Sequence, residues 1–266
     1  MHSKMNQRIY WIDWAKALGI WLVVFGHAPA KGHIFIYMFH MPFFFMLSGY
    51  LYRHVGLKEE IRRSFKGLII PYLLYNGLLC LIAYITGVFQ SDIIYNVLLG
   101  NQEGIMIRYF SPLWFLISLF IMRIILSLIK SERRGGLLAS LCVIISFYCY
   151  NKGCFSYNYD YFQICTTLVC IPFFIGGYIM RMKNLFVNDK VLNISEFVKI
   201  GGVVGLLFFI GYNNGMINVF RATRAGDNIL IFYLVGFGLS YYIIKLIAIY
   251  LKKRNVIVKT SLKVHY

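Results

Sequence analysis

The sequence predicts an all-α fold, a polytopic transmembrane helix bundle with about eight spans and a cytoplasmic amino terminus. Of the 266 residues, 59% are hydrophobic and only 14% are charged, which is far from the balance of a soluble domain. The apolar residues come in runs of about twenty, the length that an α-helix needs to cross roughly 30 Å of hydrocarbon. The strands of a membrane barrel would alternate apolar and polar residues, whereas the run 68–89 is apolar on every face.

Eight segments are predicted to span the membrane as parts of one domain, residues 1–266. They are 12–28, 34–52, 68–89, 113–129, 135–150, 162–180, 197–212 and 229–251. The fifth and the seventh are short. Because only short polar stretches separate these segments, any active site is expected to be built largely by helices.

The basic residues follow a pattern along the chain. A net charge of +17 would indicate nucleic-acid binding in a soluble protein, so the placement of these residues decides what they mean. If the amino terminus is cytoplasmic, most of them fall on the inner side, namely Lys4, Arg8, Arg53, Lys58, Arg62, Arg63, Lys66, Lys130, Arg133, Arg134, Arg181, Lys183, Lys190, Lys199, Lys252, Lys253, Arg254, Lys259 and Lys263. This is the positive-inside pattern of a membrane protein, so membrane lipids and not nucleic acid are the expected partners.

The first predicted span contains unusually many polar side chains. It contains Asp13, Lys16 and His27, and Asp13 is the only acidic residue that falls within any predicted span. Lys16 and His27 are eleven residues apart, about three helical turns, so they share one stripe of the helix at a separation of roughly 16 Å. Intramembrane ionisable residues usually mark a functional site. Two structural alternatives stay open, an Asp13–Lys16 ion pair and an interfacial His27.

The first two spans resemble the signature of the acyltransferase-3 family of membrane O-acyltransferases. One part is Lys16 followed by ten residues and His27. The other is the run His40-Met41-Pro42-Phe43-Phe44-Phe45-Met46-Leu47-Ser48-Gly49-Tyr50. Arg62-Arg63 before Ile70-Pro71-Tyr72-Leu73, and Pro112-Leu113-Trp114-Phe115-Leu116, are also similar to family segments. The resemblance is clearest over residues 8–120. The family usually has more spans, so a carboxy-terminally truncated member is one expectation.

The resemblance implies transfer of an acetyl or other acyl group from acetyl-CoA to a hydroxyl of a cell-surface polysaccharide or another envelope glycan. His27 is then the candidate general base, with an acyl-imidazole relay through the same ring as the competing mechanism. Lys16, Arg62, Arg63 and Lys66 are the candidate donor-binding residues, because arginine holds phosphate with charge-assisted bonds. Attraction to lipid headgroups is the alternative explanation for the basic loop.

Three further residues are candidate supports of the site. Asp13 can pair with Lys16, and His40 precedes a proline that can kink the second span and make room for substrate. Trp114 could stack on a sugar, although we expect it to anchor the chain at a membrane interface.

The sequence also bears on metal binding and on functions other than an enzyme's. No metal site is predicted, because no zinc-ligand spacing is present. The alternatives to an enzyme in the cell inner (plasma) membrane are a small transporter or glycan exporter, and an inactive truncated remnant. The acceptor, the acyl group and the oligomeric state are left open.

Overall fold

The protein is described here by a computed structural model. It describes residues 10–27, 32–101, 113–129, 131–155, 160–186, 192–218, 222 and 224–262, with the backbone alone for 252–262. Ala28 and Pro112, which belong to the predicted first span and to a family-like segment, lie outside these ranges. So do Lys4, Arg8, Lys130, Lys190 and Lys263 of the predicted inner side.

The described chain folds into helices. The α-helices are α1 (Tyr10–His27), α2 (His33–Tyr37), α3 (His40–Leu51), α4 (Leu57–Ser64), α5 (Ile70–Ile85), α6 (Asp92–Leu98), α7 (Trp114–Ser127), α8 (Glu132–Asn151), α9 (Ile164–Met182), α10 (Ile194–Asn213) and α11 (Ile229–Leu262). A π turn over Phe65–Ile69 joins α4 to α5, and a short 3₁₀ turn over Tyr161–Gln163 precedes α9. The described residues form no β-sheet, so the all-α prediction is confirmed.

Each of the eight predicted spans coincides with helix in the structure. Five helical segments are long and apolar enough to cross a membrane, namely His33–Leu51, Leu57–Ile85, Tyr161–Met182, Ile194–Asn213 and Ile229–Leu251. The other three predicted spans have physical reasons to fall short: α1 carries Asp13 and Lys16, α7 has 14 residues, and α8 begins with Glu132, Arg133 and Arg134. A membrane helix bundle is therefore confirmed, whereas the count of eight spans stays a prediction.

The two ends of the bundle separate the predicted inner and outer connections. At one end, Arg181 donates to the Tyr52 carbonyl (2.9 Å), joining two segments with predicted inner positions. At the other end, the Tyr150 hydroxyl donates to the Gly226 carbonyl, and Gln163 Nε2 donates to the Gly100 carbonyl (2.8 Å). We call these the inner end and the outer end. Which of them faces the cytoplasm stays a prediction.

Helices α3 and α9 form the centre of the bundle. Both are buried along most of their length, and α3 packs against α9 more extensively than any other pair of helices in the described chain. By contrast, α5 and α10 expose most of their apolar side chains, including Leu74, Tyr84, Val198 and Phe209. In a membrane-spanning bundle, such faces contact lipid.

Two glycines allow α3 and α9 to touch backbone to backbone. A Cβ atom at Gly177 would overlap the Met46 carbonyl, and one at Gly49 would overlap the Phe174 carbonyl. Small residues at membrane helix interfaces permit this close approach. Any larger side chain must push the two central helices apart.

We therefore expect Gly177→Ala to destabilise the bundle by about 1–3 kcal/mol, the usual cost of overpacking. The measurement is the thermal unfolding of the purified protein in detergent. Gly201→Ala on α10 is the matched control, because a Cβ there would meet no atom within 4 Å. Equal melting of both variants and the wild type would show that α3 and α9 are not in backbone contact.

Candidate functional site

Helix α1 carries the predicted polar residues, as the sequence indicated. Its buried face is formed by Trp11, Ile12, Ala15, Gly19 and Gly26. Lys16 and His27 lie on one side of the helix, beside this buried face, and both are exposed in the single chain, while Asp13 is half-buried. The ion pairs within the described part of the chain do not include Asp13 with Lys16. The helix therefore places a cation towards the inner end and an imidazole at the outer end.

A hydrogen bond within α1 orients the His27 ring. Its Nδ1 lies 2.7 Å from the Val23 carbonyl oxygen, one turn earlier on α1. A carbonyl can only accept a hydrogen bond, so Nδ1 carries the proton. The neutral ring then has its basic nitrogen at Nε2, which is the arrangement that a general base or a nucleophile requires.

The second span is broken, as its proline led us to expect. Helix α2 ends at Tyr37 and α3 begins at His40, with Met38 and Phe39 in a turn between them. Pro42 has no N–H to donate to the Met38 carbonyl, four residues earlier, and its ring crowds that carbonyl, which accounts for a break at this point. His40 is buried, and its Nδ1 donates to the Ile36 carbonyl (3.0 Å). In an unbroken helix, the backbone N–H of His40 would donate to this Ile36 carbonyl. Here the His40 side chain donates to it instead.

The break brings a cluster of rings together around Tyr37. The centroid of the Tyr37 ring lies 5.0 Å from that of His40, 6.0 Å from His33 and 6.3 Å from His27. We call these four residues the outer cluster. Sequence reasoning identified His27 and His40 but missed His33 and Tyr37. The spacing of four residues between His33 and Tyr37 was a signal that both lie on one face of a helix.

A small cavity of about 130 Å³ adjoins the outer cluster. His33, Ile34 and Tyr37 form one wall, and Met216, Ile217 and Asn218 form the other. The second wall is fixed by Asn214, which is buried and whose amide nitrogen donates to the Ala225 and Asn228 carbonyls (3.2 and 3.1 Å). Gly226 has a φ of 85° and no room for a Cβ beside Asn214, so only glycine fits there. As a result, the segment that follows α10 folds back beside the rings of the outer cluster.

The predicted donor-binding residues lie on α1, on α4 and in the π turn that follows α4. Arg62 pairs with Glu59 (Nε to Oε2, 2.9 Å), and Arg63 pairs with the same carboxylate. Both guanidinium groups and the Lys66 side chain are exposed. Lys16 lies on α1, and among the described residues it forms no ion pair with the acidic partner of these arginines. Their part in donor binding stays a prediction.

Trp114 lies inside the bundle. Its ring is buried and is 6.1 Å from the Phe45 ring, between centroids. The expectation of an anchor at the membrane interface does not fit this burial. The residue instead connects the start of α7 to the central helix α3.

A larger cleft opens at the inner end. It has a volume of about 980 Å³, and its walls come from the segment after α3, the end of α7 and the end of α9. Arg53, His54 and Arg181 contribute its basic side chains. Arg53 and Arg181 entered the sequence analysis only as part of the inner-side charge, because nothing in their spacing places them together.

Within the described residues, no group of three or more His, Cys, Asp or Glu side chains is placed to hold a metal ion.

Fold and site together define a polytopic membrane protein with an imidazole cluster at one end of its helix bundle and a basic cleft at the other. The sequence model of an acyltransferase domain, acyltransferase-3, matches residues 9–261, nearly the whole chain. The chain belongs to the acyltransferase-3 family and is a membrane acyltransferase. The resemblance drawn from the first two spans is confirmed, and the match extends well beyond residue 120. No curated protein and no solved structure matches this chain.

Proposed function

We propose that this acyltransferase moves an acetyl group from acetyl-CoA to a hydroxyl of a cell-surface polysaccharide or another envelope glycan. We place it in the cell inner membrane. The observation that carries the proposal is the His27 imidazole, held by the Val23 carbonyl with Nε2 as its basic nitrogen, in a chain of an acyltransferase family. The outer end then receives the acceptor, and the inner end receives the donor.

The chemistry follows from the weakness of an alcohol as a nucleophile at neutral pH. His27 Nε2 removes the acceptor hydroxyl proton while the oxygen forms a bond to the thioester carbonyl carbon. The tetrahedral intermediate then collapses, the carbon–sulfur bond breaks, and the proton passes from the imidazolium to the departing thiolate. In the competing relay, Nε2 itself attacks the thioester carbonyl carbon, and the carbon–sulfur bond breaks to release the thiolate. The acceptor hydroxyl oxygen then attacks the acyl-imidazole, the acyl–nitrogen bond breaks to restore the ring, and the hydroxyl proton passes to the thiolate.

The two ends of α1 set a condition on this reaction. Lys16 and His27 are separated by roughly 16 Å along the helix, so a donor held at the inner end must extend its acyl group through most of the bundle. A thioester on a long flexible arm suits that geometry. The acceptor does not need to cross the membrane.

The proposal is tested with membranes that contain the expressed chain and acetyl-CoA labelled in its acetyl group. We expect label to appear in envelope glycan, and none to appear with membranes that lack the chain. A folded chain that transfers no label to several polysaccharide and lipid-linked acceptors would contradict the proposal. Transport of unlabelled glycan in the same vesicles would then favour the exporter.

For the donor, we expect Lys16→Ala to raise the KM for acetyl-CoA by roughly two- to fivefold with little change in kcat, the size of one exposed charge contact. Lys16→Arg should restore the KM, because it keeps the charge. Steady-state kinetics over a range of acetyl-CoA concentrations provide the measurement. A fall in kcat at unchanged KM would place Lys16 in the chemical step instead.

A further inference from the structure

Two cysteines meet at the outer end of α8. Cys149 lies in the last turn of this helix, and Cys154 follows in the segment after it. Both are free cysteines, and Cys154 is exposed whereas Cys149 is half-buried. Their thiol groups lie within hydrogen-bond reach of each other. Neither residue belongs to the outer cluster or takes part in the proposed acyl transfer.

The backbone at the end of α8 holds the two cysteines together. Gly153 has a φ of 64°, in the left-handed region that favours glycine. The Gly153 N–H donates to the Tyr150 carbonyl (3.3 Å), and the Cys154 N–H donates to the Cys149 carbonyl (2.9 Å). These two bonds define a Schellman motif, in which the outer pair of residues frequently makes a hydrophobic side-chain contact. Here cysteines occupy both of these positions.

Residues joined in this way are well placed for a disulfide bond. Such a bond needs Cα atoms about 4.4–6.8 Å apart and side chains that point towards each other. The backbone hydrogen bond from Cys154 to Cys149 brings the two Cα atoms close, and the proximity of the thiols shows that the side chains face each other. A disulfide can therefore form without refolding of the helix end.

A third cysteine lies near this pair but is already engaged. Cys165 is near the start of α9, its N–H donates to the Asp160 carboxylate (2.8 Å), and its thiol lies within hydrogen-bond reach of the same group. A carboxylate can only accept a hydrogen bond, so the Cys165 thiol keeps its proton. Because the thiolate is the reactive form of cysteine, Cys154 is the better partner for Cys149.

We propose that Cys149 and Cys154 form a disulfide bond that fastens the outer end of α8. The oxidant is another disulfide, as is present in an oxidising compartment, and the predicted orientation places this end of the bundle in such a compartment. The exposed Cys154 thiolate attacks one sulfur of the oxidant, which gives a mixed disulfide and releases one thiolate. The Cys149 thiolate then attacks Cys154 Sγ, and the second thiolate leaves. The two cysteines are oxidised, the oxidant is reduced, and the two cysteine protons end on the two released thiols.

The disulfide encloses a residue that supports the cavity beside the outer cluster. Tyr150 lies within the ring that the bond closes. Its hydroxyl donates to the Gly226 carbonyl and accepts from the Ala225 N–H (3.3 Å). These contacts hold the segment that folds back beside the outer cluster. Fastening the end of α8 therefore also fixes the anchor of this segment.

The number of oxidised thiols tests the proposal. The full chain is reconstituted in nanodiscs and treated with oxidised glutathione. Free thiols are then blocked with N-ethylmaleimide in denaturant, and the chain is reduced and tagged with polyethylene-glycol maleimide. We expect two tags on the wild type and on Cys165→Ser, the matched control. Cys149→Ser should carry one tag, because Cys154 retains glutathione as a mixed disulfide, and Cys154→Ser should carry none.

A second measurement tests whether the bond fastens the helix end. The oxidised wild type should melt roughly 2–6 °C above the reduced wild type, as expected for a disulfide that closes a short loop. Cys149→Ser and Cys154→Ser should show no such difference. The same two tags are expected on wild-type chain from cells quenched with acid.

Other results would overturn the proposal. Two tags on Cys154→Ser but not on Cys165→Ser would assign the bond to Cys149 and Cys165. Fewer than two tags on the folded wild type would exclude a disulfide. Two tags with an unchanged melting temperature would exclude the fastening of α8. Two tags in nanodiscs but none in quenched cells would contradict an oxidising compartment at the outer end.

Discussion

Replacing His27 with alanine is expected to abolish acyl transfer while the helix bundle stays folded. Loss of a general base typically lowers kcat by roughly 10²–10⁴, and loss of a covalent nucleophile lowers it further. The side chain is exposed, and its bond to the Val23 carbonyl is made within its own helix. Little packing is therefore lost. The measurement is the transfer of labelled acetyl groups to envelope glycan, with thermal unfolding measured on the same preparation.

A structural His27 would behave differently. In that case alanine would reduce expression and melting temperature together with activity, and His27→Gln, which keeps a side chain of similar size and an N–H donor, would recover them. For a catalytic His27 we expect the glutamine variant to be folded and inactive. Added imidazole should partly restore acyl transfer by the His27→Ala variant, because it supplies the missing base.

The same variant separates the two mechanisms. When wild-type protein meets labelled acetyl-CoA without acceptor, an acyl-imidazole relay leaves label on the protein, and a general base leaves none. Label that is retained by wild type and lost in His27→Ala would establish the relay. The two mechanisms use the same atom, since both begin at Nε2 of the neutral His27 ring.

The sequence predicted those parts of the fold that depend on local pattern. Runs of apolar residues predicted the helices, and Pro42 predicted the break in the second span, because a missing N–H acts on the carbonyl four residues away. The pairing of Arg62 and Arg63 with Glu59 could also have been predicted from the sequence, since charges three and four residues apart meet on a helix. Donor binding by these arginines stays a prediction.

The remaining features depend on contacts between distant parts of the chain. Asp13 was taken as the only acidic residue inside a predicted span, yet the fully buried carboxylate of the described structure is Glu60, outside every predicted span. Its partner Arg123 is 63 residues away. The cleft likewise combines Arg53 with Arg181, and the cavity beside His33 depends on a fold-back held by Asn214. Hydrophobic periodicity contains no information about which helix ends meet, so none of these could be read in advance.

The ion pair between Glu60 and Arg123 should be the most costly single contact to break. Arg123 Nε donates to Glu60 Oε1 (2.7 Å) and to Ser64 Oγ (2.9 Å), and its guanidinium lies over the Tyr52 ring, 5.3 Å from the centroid. Arg123→Ala would leave the Glu60 carboxylate buried without its counter-charge. We expect a loss of about 3–5 kcal/mol, seen as an early thermal transition in detergent.

A double variant distinguishes the ion pair from simple loss of packing. Glu60→Leu together with Arg123→Leu removes both charges, and replacement of a buried pair by apolar residues is often neutral or stabilising. We therefore expect the double variant to recover most of the stability that Arg123→Ala loses. If it melts as early as Arg123→Ala, the contribution of Arg123 comes from its packing against Tyr52. Because Tyr52 also lines the inner cleft, that result would make Arg123 a support of the cleft wall.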